Sequence, residues 1–406
     1  VRRHGFTAQQ EHFLGDQDFD ARQRQLHQLG EGAARHDRQE IVVREARLGR
    51  HGARVARQGI LANHIELIPL DRVDPRDRSL GVTRLADQKG VDLIVPNKME
   101  GKAEPFSRDA LLGAIPQGHK DFAANVLKQH GIEAGDLESD RSNSVNFARN
   151  MRADGAANSL EVAFQYPIKL IANALGVPPP IMLEMGKKHG VPVAALVGAK
   201  EHAVAQVQAG TDILVVAGGE AGGHCGDVST MVLIPEVHRA VKAMGKDTPI
   251  LAAGGITTGE QMAAAMAMGA AGAWCGSVWL TTTEAETSPT VKAKMLAATS
   301  RDTVRSRSRT GKPSRQLRSP WTDAWEQDGA PEPLPMPLQT LVSEPALRRV
   351  DKLAEGGHKG AQQLATYWVG QGVGLMNQSM SAGQVVQQFK EDFLSAYERL
   401  SSALGD

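Results

Sequence analysis

The succession of apolar and polar segments predicts alternating strands and helices from Gly90 onward. Short, continuous apolar runs are typical of parallel strands that are buried on both faces. Such runs predict strands at residues 91–95, 170–175, 193–197, 213–217, 250–253 and 273–277. The segments between them predict helices at residues 107–130, 181–190, 200–210, 236–244 and 259–268. This alternation indicates an α/β fold with a parallel sheet.

The positions of the glycines favour a TIM (β/α)8-type barrel over a doubly wound sheet. Glycines follow several consecutive predicted strands, and a barrel gathers its active site at those strand ends. A doubly wound dinucleotide fold instead has a G-x-G-x-x-G turn after an early strand, and the sequence has none there. Six strands are predicted from Gly90 onward, so a complete barrel needs two more strands from residues 1–89.

Residues 1–89 differ in composition from the rest of the chain. They contain fifteen Arg and six His but one Lys, and they have no Met, Trp or Tyr. Their apolar runs are short, and no two glycines are adjacent. We expect a poorly ordered charged segment or the translation of a shifted reading frame. The barrel is then expected to be incomplete at its first two strands.

The remaining chain divides into two predicted parts. Residues 90–290 form the barrel, with a polar insertion at residues 97–160. Residues 291–406 form a loop and helical C-terminal extension. Within this extension, a basic, Ser/Thr-rich segment at residues 300–315 is predicted to be an ordered loop. Apolar residues at helical spacing predict a helix at residues 385–400.

Composition narrows the class of protein. The formal net charge is zero, which gives no indication of a nucleic-acid or membrane-surface partner. Two cysteines rule out a disulfide scaffold and fit a reducing compartment. No apolar run reaches the roughly 18 residues of a membrane span, and the first residues lack the apolar core of a secretory signal. We therefore expect a cytoplasmic protein, with a homodimer left open.

Glycines at the ends of the last two predicted strands indicate a phosphate site. Gly254 and Gly255 follow one strand, and Gly276 and Ser277 end the next. Backbone N–H groups without an adjacent Cβ can approach phosphate oxygens closely, and a hydroxyl adds a further donor. In barrels of this kind, phosphate commonly binds between the last two strand–helix loops.

His224 is the candidate catalytic residue. It ends the glycine-rich loop after the strand at residues 213–217, and its ordinary pKa lies near neutrality. The alternative is a loop histidine bonded to a backbone carbonyl. Cys225 has no evident base and is expected to be a bystander, and Glu220 is expected to bind loop amides. Neither cysteine has metal-ligand spacing, so no metal is predicted.

These motifs resemble the nitronate monooxygenase family of FMN-dependent barrels. The resemblance extends from about Gly90 to the C-terminus and excludes residues 1–89. It rests on the glycine-rich loop that ends at His224, on residues 252–256 and on Gly276-Ser277. It implies that His224 is catalytic. The resemblance, together with the glycines at the strand ends, implies that the following residues bind FMN: Gly222, Gly254, Gly255, Trp274, Cys275, Gly276 and Ser277.

Two further positions that correspond to flavin contacts depart from the family pattern. Asp92 stands where an Asn is common, and Ala217 stands where a Gln is common. The loss of a side-chain amide removes a hydrogen bond to the flavin or the substrate.

The resemblance implies oxidation of an alkyl nitronate by FMN, with O₂ as the co-substrate and a carbonyl compound and nitrite as products. Two alternatives stay open. One is an NAD(P)H-dependent flavin reductase acting on enoyl-acyl carrier protein or quinones, which shares the loop and the histidine. The other is a non-catalytic, truncated barrel.

Overall fold

The computed structural model describes residues 90–93, 108–139, 141 and 159–404. Its strands are β1 (Gly90–Leu93), β2 (Leu170–Asn173), β3 (Val193–Val197), β4 (Ile213–Ala217), β5 (Gly223–His224), β6 (Ile250–Ala253), β7 (Gly272–Ala273), β8 (Thr303–Ser306) and β9 (Ser314–Leu317). Within the described residues, six of these form one parallel sheet in the order β1-β2-β3-β4-β6-β7. The alternation predicted from the sequence is confirmed there.

The helices that accompany these strands are α1 (Arg108–Gly113), α2 (Gln117–Gln129), α3 (Pro180–His189), α4 (Lys200–Ala209), α5 (Thr230–Ala243), α6 (Gly259–Ala267), α7 (Pro289–Ala297), α8 (Pro320–Trp325), α9 (Leu338–Glu355), α10 (Lys359–Leu364) and α11 (Ala382–Leu404). Short 3-10 helices lie at Ser277–Thr281, Ser300–Asp302 and Gln371–Leu375. The single helix predicted at residues 107–130 is two helices, and α5 begins six residues before the predicted start. The strand predicted at residues 273–277 ends at Ala273 instead.

Alternate residues of the strands face two different cores, as the wall of a barrel requires. One set packs together on the inner face: Leu170, Ala172, Ala194, Val215, Leu251 and Ala253. Residues at intervening positions pack with the surrounding helices: Val197, Leu214, Val216, Ile250 and Ala252. The architecture is therefore an α/β barrel-type fold. The two strands expected from residues 1–89 lie outside the described residues.

A second, antiparallel sheet has the strand order β5-β9-β8. It pairs His224 with Ser314 and Thr303 with Leu317. The prediction of a loop at residues 300–315 is wrong for these strands. Their buried side chains are mostly polar, including Ser306, Ser314 and Gln316. Strands are predicted from apolar residues at the buried positions, so these strands have no hydrophobic pattern in the sequence.

The described part of the insertion shares a hydrophobic core with the C-terminal part of the chain. Ala123, Val126 and Leu127 of α2 belong to the same buried cluster as residues of α7, α8 and α9, with Trp321 fully buried within it. The helix predicted at residues 385–400 is present as the longer α11. In α11, Val385 and Phe389 pack into the helix layer around the barrel.

Across the described ranges, no helix combines the length and the apolar character needed to cross a membrane.

Candidate active site

The C-terminal ends of β4 and β6 lie side by side. The register pairs Ala217 with Ala253, and the Gly218 amide donates to the Ala253 carbonyl at 3.3 Å. Gly254 has a φ of +106°, a conformation that glycine adopts without strain. A side chain at Gly254 would also collide with the Thr230 hydroxyl, whose oxygen lies 3.1 Å from the Gly254 carbonyl oxygen. Protein atoms therefore occupy the space at Gly254 that the Cβ atom of a larger residue would need.

Glu220 fixes the glycine-rich loop to the start of α5. Its Oε2 atom accepts hydrogen bonds from the Thr230 amide and from the Thr230 hydroxyl, each at 2.9 Å. A carboxylate at a helix N-terminus satisfies unpaired amides and interacts favourably with the helix dipole. Glu220 is thus a structural carboxylate, but the amide that it binds belongs to the first residue of α5 and not, as was expected from the sequence, to the loop.

Residues 368–372, called here the bridging segment, connect three of the predicted site positions. The Gly370 amide donates to Ser277 Oγ at 2.9 Å. A Cβ atom built on Gly222 would lie 2.7 Å from the Gly370 nitrogen, and one built on Gly255 would lie 3.6 Å from the Gly372 nitrogen. The structure thus brings Gly222, Gly255 and Ser277 together around one stretch of backbone.

The two residues that follow β7 are partly buried, and Gly276 after them has open space on its β-carbon side. Trp274 and Ala217 both pack against the inner core of the barrel. Burial raises the pKa of the Cys275 thiol to about 12, so Cys275 is not an acid or a nucleophile at neutral pH. Gly276 has an ordinary φ of −112°, and a Cβ atom there would meet no atom within 4 Å.

This open side of Gly276 provides a test of whether a flavin phosphate fits. The amides of Gly255, Gly276 and Ser277 have no hydrogen-bond acceptor within the described residues. The Ser277 hydroxyl accepts from Gly370 and keeps its own proton for another acceptor. Free amide donors beside open space fit a phosphate group.

His224 lies on the small antiparallel sheet, where its Nε2 atom is 2.7 Å from Thr310 Oγ1. Its ring centroid is 6.3 Å from that of Trp368, the first residue of the bridging segment. More than a third of the residue is exposed, and the rest is covered by protein. This partial burial, followed by the positive charge of Lys312, lowers the pKa of His224. A neutral imidazole is therefore favoured at neutral pH.

Sequence reasoning missed a buried cation behind this histidine. Arg309 Nε donates to Glu344 Oε1 at 2.7 Å, and the guanidinium carbon lies 4.4 Å from the centre of the Trp368 ring and 5.4 Å from that of Tyr367. Cation–π contacts of this kind hold aromatic rings in place. The run of arginines at residues 305–309 was visible in the sequence, but nothing in it distinguished the buried Arg309 from its exposed neighbours.

Two further positions considered in the sequence are Cys225 and Asp92. Desolvation raises the pKa of the Cys225 thiol, although the neighbouring Arg315 and Arg305 act in the opposite direction, so the structure offers no activated thiolate. Asp92 on β1 pairs in register with Ala172 on β2. No group of three or more His, Cys, Asp or Glu suited to a metal occurs in the described part of the chain.

Comparison with known proteins gives consistent results. The family model described as nitronate monooxygenase matches residues 118–392. A Mycobacterium tuberculosis protein named "Putative monooxygenase Rv1533" is 50% identical over 314 residues, covering 77% of this chain and 82% of that protein. A Rhodococcus jostii protein named as a hydroxy-methyl-oxo-octahydro-indene-carboxyl-CoA dehydrogenase is 36% identical over 185 residues, covering 45% of this chain and 51% of that protein.

Among solved structures, a nitroalkane oxidase from Streptomyces ansochromogenes matches with a TM-score of 0.60 and 23% identity, covering 77% of this chain and 82% of that chain. At this identity the likeness concerns the fold alone. The family match covers more than half of the chain, and the residues that it spans include the glycine-rich loop, His224 and the bridging segment. The chain belongs to the nitronate monooxygenase family and is a flavin-dependent oxidoreductase.

Proposed function

We propose that the protein binds FMN at the C-terminal end of the barrel and oxidises alkyl nitronates, with O₂ as co-substrate, to a carbonyl compound and nitrite. The observation that carries this proposal is the bridging segment. Its first residue lies beside His224, and its later residues contact Gly222, Ser277 and Gly255. One short stretch of backbone thus links the candidate acid/base group to the candidate phosphate donors.

The roles of the protein groups follow from their chemistry. The amides of Gly255, Gly276 and Ser277 would hold the phosphate, and the inner wall at Trp274 and Ala217 would border the ring system. The flavin, when bound, supplies the capacity to accept electrons from the substrate. A neutral His224 would donate a hydrogen bond to a nitronate oxygen or accept a proton, and the second of these roles requires the uncharged imidazole that its lowered pKa favours.

The test uses two variants that separate binding from turnover. His224→Asn is expected to retain FMN and to lower kcat for a nitronate by about 100-fold or more, because an amide cannot replace a titrating imidazole. Gly276→Ala is expected to fold, because its Cβ meets no atom within 4 Å, and to weaken FMN binding by about tenfold.

Gly118→Ala is the matched control, because its Cβ also meets nothing within 4 Å and it lies on α2, remote in sequence from the barrel strand ends. FMN binding is measured by fluorescence quenching, and nitronate turnover by O₂ uptake. Unchanged turnover in His224→Asn would remove His224 from the mechanism, and wild-type FMN affinity in Gly276→Ala would refute the phosphate assignment.

The relationship to a CoA-ester dehydrogenase supports a second candidate, a flavin enzyme that exchanges electrons with NAD(P)H or with a CoA thioester. Anaerobic mixing distinguishes the two. Rapid bleaching of the flavin by NADH favours the reductase, and bleaching by a nitronate alone favours the monooxygenase.

A further inference from the structure

Trp368 and His224 project from the same face of the small antiparallel sheet. His224 pairs in register with Ser314, and Trp368 pairs with Gln316 in an isolated antiparallel bridge. Ser314 and Gln316 are two positions apart on β9, and directly paired residues share a face, so all four side chains lie on one side. The ring centroids of His224 and Trp368 are 6.3 Å apart. A molecule that contacts the exposed part of His224 is therefore within reach of the indole.

The indole is held in a fixed orientation by three contacts. Its Nε1 atom donates to Ser314 Oγ at 3.3 Å, and the bridge to Gln316 fixes its backbone. The guanidinium carbon of Arg309 lies over the ring, 4.4 Å from its centre. Arg309 is 4% exposed and is paired with Glu344, so this cation is itself held in place by the protein interior.

These contacts determine which surface the indole offers to a ligand. The N–H group of Trp368 is already bonded to Ser314, so the ring has no further hydrogen-bond donor. Arg309 closes the ring face that it covers, so the partial exposure of Trp368 comes from the other face and the edges. The indole thus presents an apolar aromatic surface beside a polar imidazole. Flat aromatic groups stack on such a surface, and hydrated or charged groups gain nothing from it.

We propose that Trp368 is a specificity-determining residue that binds the substituent on the reacting carbon of the substrate, and that this substituent is aromatic. The inference rests on the proposed function and deepens it. With the nitronate group at His224, a carbon substituent that extends along the shared sheet face stacks on the indole. The preferred substrate class is then the aryl nitronates.

The experiment separates the aromatic ring of Trp368 from its volume. Trp368→Phe keeps a flat ring, and Trp368→Leu keeps apolar volume without one. Phe164→Leu is the matched control, because Phe164 is also a half-buried aromatic residue whose ring stacks beside a histidine, at 4.7 Å from His189. His189 ends α3 and precedes β3, so this pair lies near the N-terminal ends of the strands, away from His224.

Binding of planar carboxylates supplies a measurement that needs no turnover. Benzoate and acetate both mimic the flat, anionic nitronate group, but only benzoate has a ring. Their dissociation constants for the flavin-loaded protein are measured by calorimetry, with acetate determined by displacement of benzoate. We expect the wild type, Trp368→Phe and Phe164→Leu to bind benzoate at least about tenfold more tightly than acetate. In Trp368→Leu we expect this preference to fall by about tenfold.

Turnover gives an independent readout of the same preference. The two substrates are the nitronates of phenylnitromethane and nitroethane. The ratio of their kcat/KM values should fall by about tenfold in Trp368→Leu, and the change should appear in KM for the aryl nitronate rather than in its kcat. The reason is that a stacking contact binds the substrate and the transition state alike.

Thermal melting identifies a variant that does not fold, and Trp368→Met then replaces Trp368→Leu. The proposal is overturned if the wild type binds neither carboxylate or binds the two equally, or if Trp368→Leu keeps the preference for benzoate. An equal loss in Trp368→Phe or in Phe164→Leu would also overturn it. A protein with the expected carboxylate preference that oxidises no nitronate would refute the proposed function and leave the role of Trp368 intact. Nitronate turnover without a preference for benzoate would refute the role of Trp368 alone.

Discussion

The ion pair between Arg309 and Glu344 allows a quantitative prediction for Glu344→Gln. The two side chains are 5% and 18% exposed, and their N–O distance is 2.7 Å. The substitution keeps the shape of the side chain and one acceptor oxygen, but it removes the carboxylate that pairs directly with the buried Arg309 charge. In the folded protein, the remaining polar contact of Arg309 is a long one, 3.4 Å to the Thr366 carbonyl.

Removing one partner of a buried ion pair costs about 3–5 kcal/mol. The neutral hydrogen bond that glutamine retains places the expected loss near the lower end, at about 3 kcal/mol. For a domain of this size, 1 kcal/mol shifts Tm by roughly 2–4 °C, so a decrease of roughly 6–12 °C is expected. Because Trp368 stacks on Arg309, activity should fall as well.

The assay is thermal and urea unfolding of the flavin-loaded protein, followed by far-UV circular dichroism. Glu332→Gln is the matched control, because Glu332 pairs with Arg307 but its side chain is 79% exposed. An exposed pair contributes at most about 1 kcal/mol. A loss below about 1 kcal/mol in Glu344→Gln, or an equal loss in both variants, would refute the reasoning.

Two further predictions concern single positions. Gly222→Ala places a carbon 2.7 Å from the Gly370 nitrogen and should destabilise the protein by about 1–3 kcal/mol and weaken FMN binding; wild-type melting and FMN titration would contradict it. Burial raises the pKa of Asp351 to about 6, so its contribution to stability is fully present below about pH 4 and is lost as pH rises through about 6. Asp351→Asn should remove that decrease from urea unfolding curves between pH 4 and 7; an unchanged pH dependence would contradict the assignment.

The barrel strands were predictable because their burial on both faces requires continuous apolar runs. The predicted bounds of β3, β4 and β6 agree with the structure for this reason. β7 was predicted too long, because the apolar residues Trp274 and Cys275 after it lie in an irregular connection that leads into the 3-10 helix at Ser277. The strand β8 was missed because its buried side chains include serine and threonine, which carry no hydrophobic signal.

The glycine positions of the site could be inferred from the sequence, but the contacts that organise them could not. His224 and Thr310 are 86 positions apart, and Ser277 and Gly370 are 93 positions apart. Nothing local in the chain specifies such pairs, because they arise only when distant elements fold together. A glycine-rich stretch at residues 370–374 was the available signal for the bridging segment, and Arg309 had no comparable signal.

The core shared by the insertion and the C-terminal helices has a consequence for synthesis on the ribosome. The ribosome synthesises the whole of α2 first, and its packing partner α9 emerges about 200 residues later. At about 5–20 residues per second, that delay is roughly 10–40 s. During this time Val126 and Leu127 have no native partner from α9, so the nascent chain offers a binding site to chaperones well before the enzyme can form.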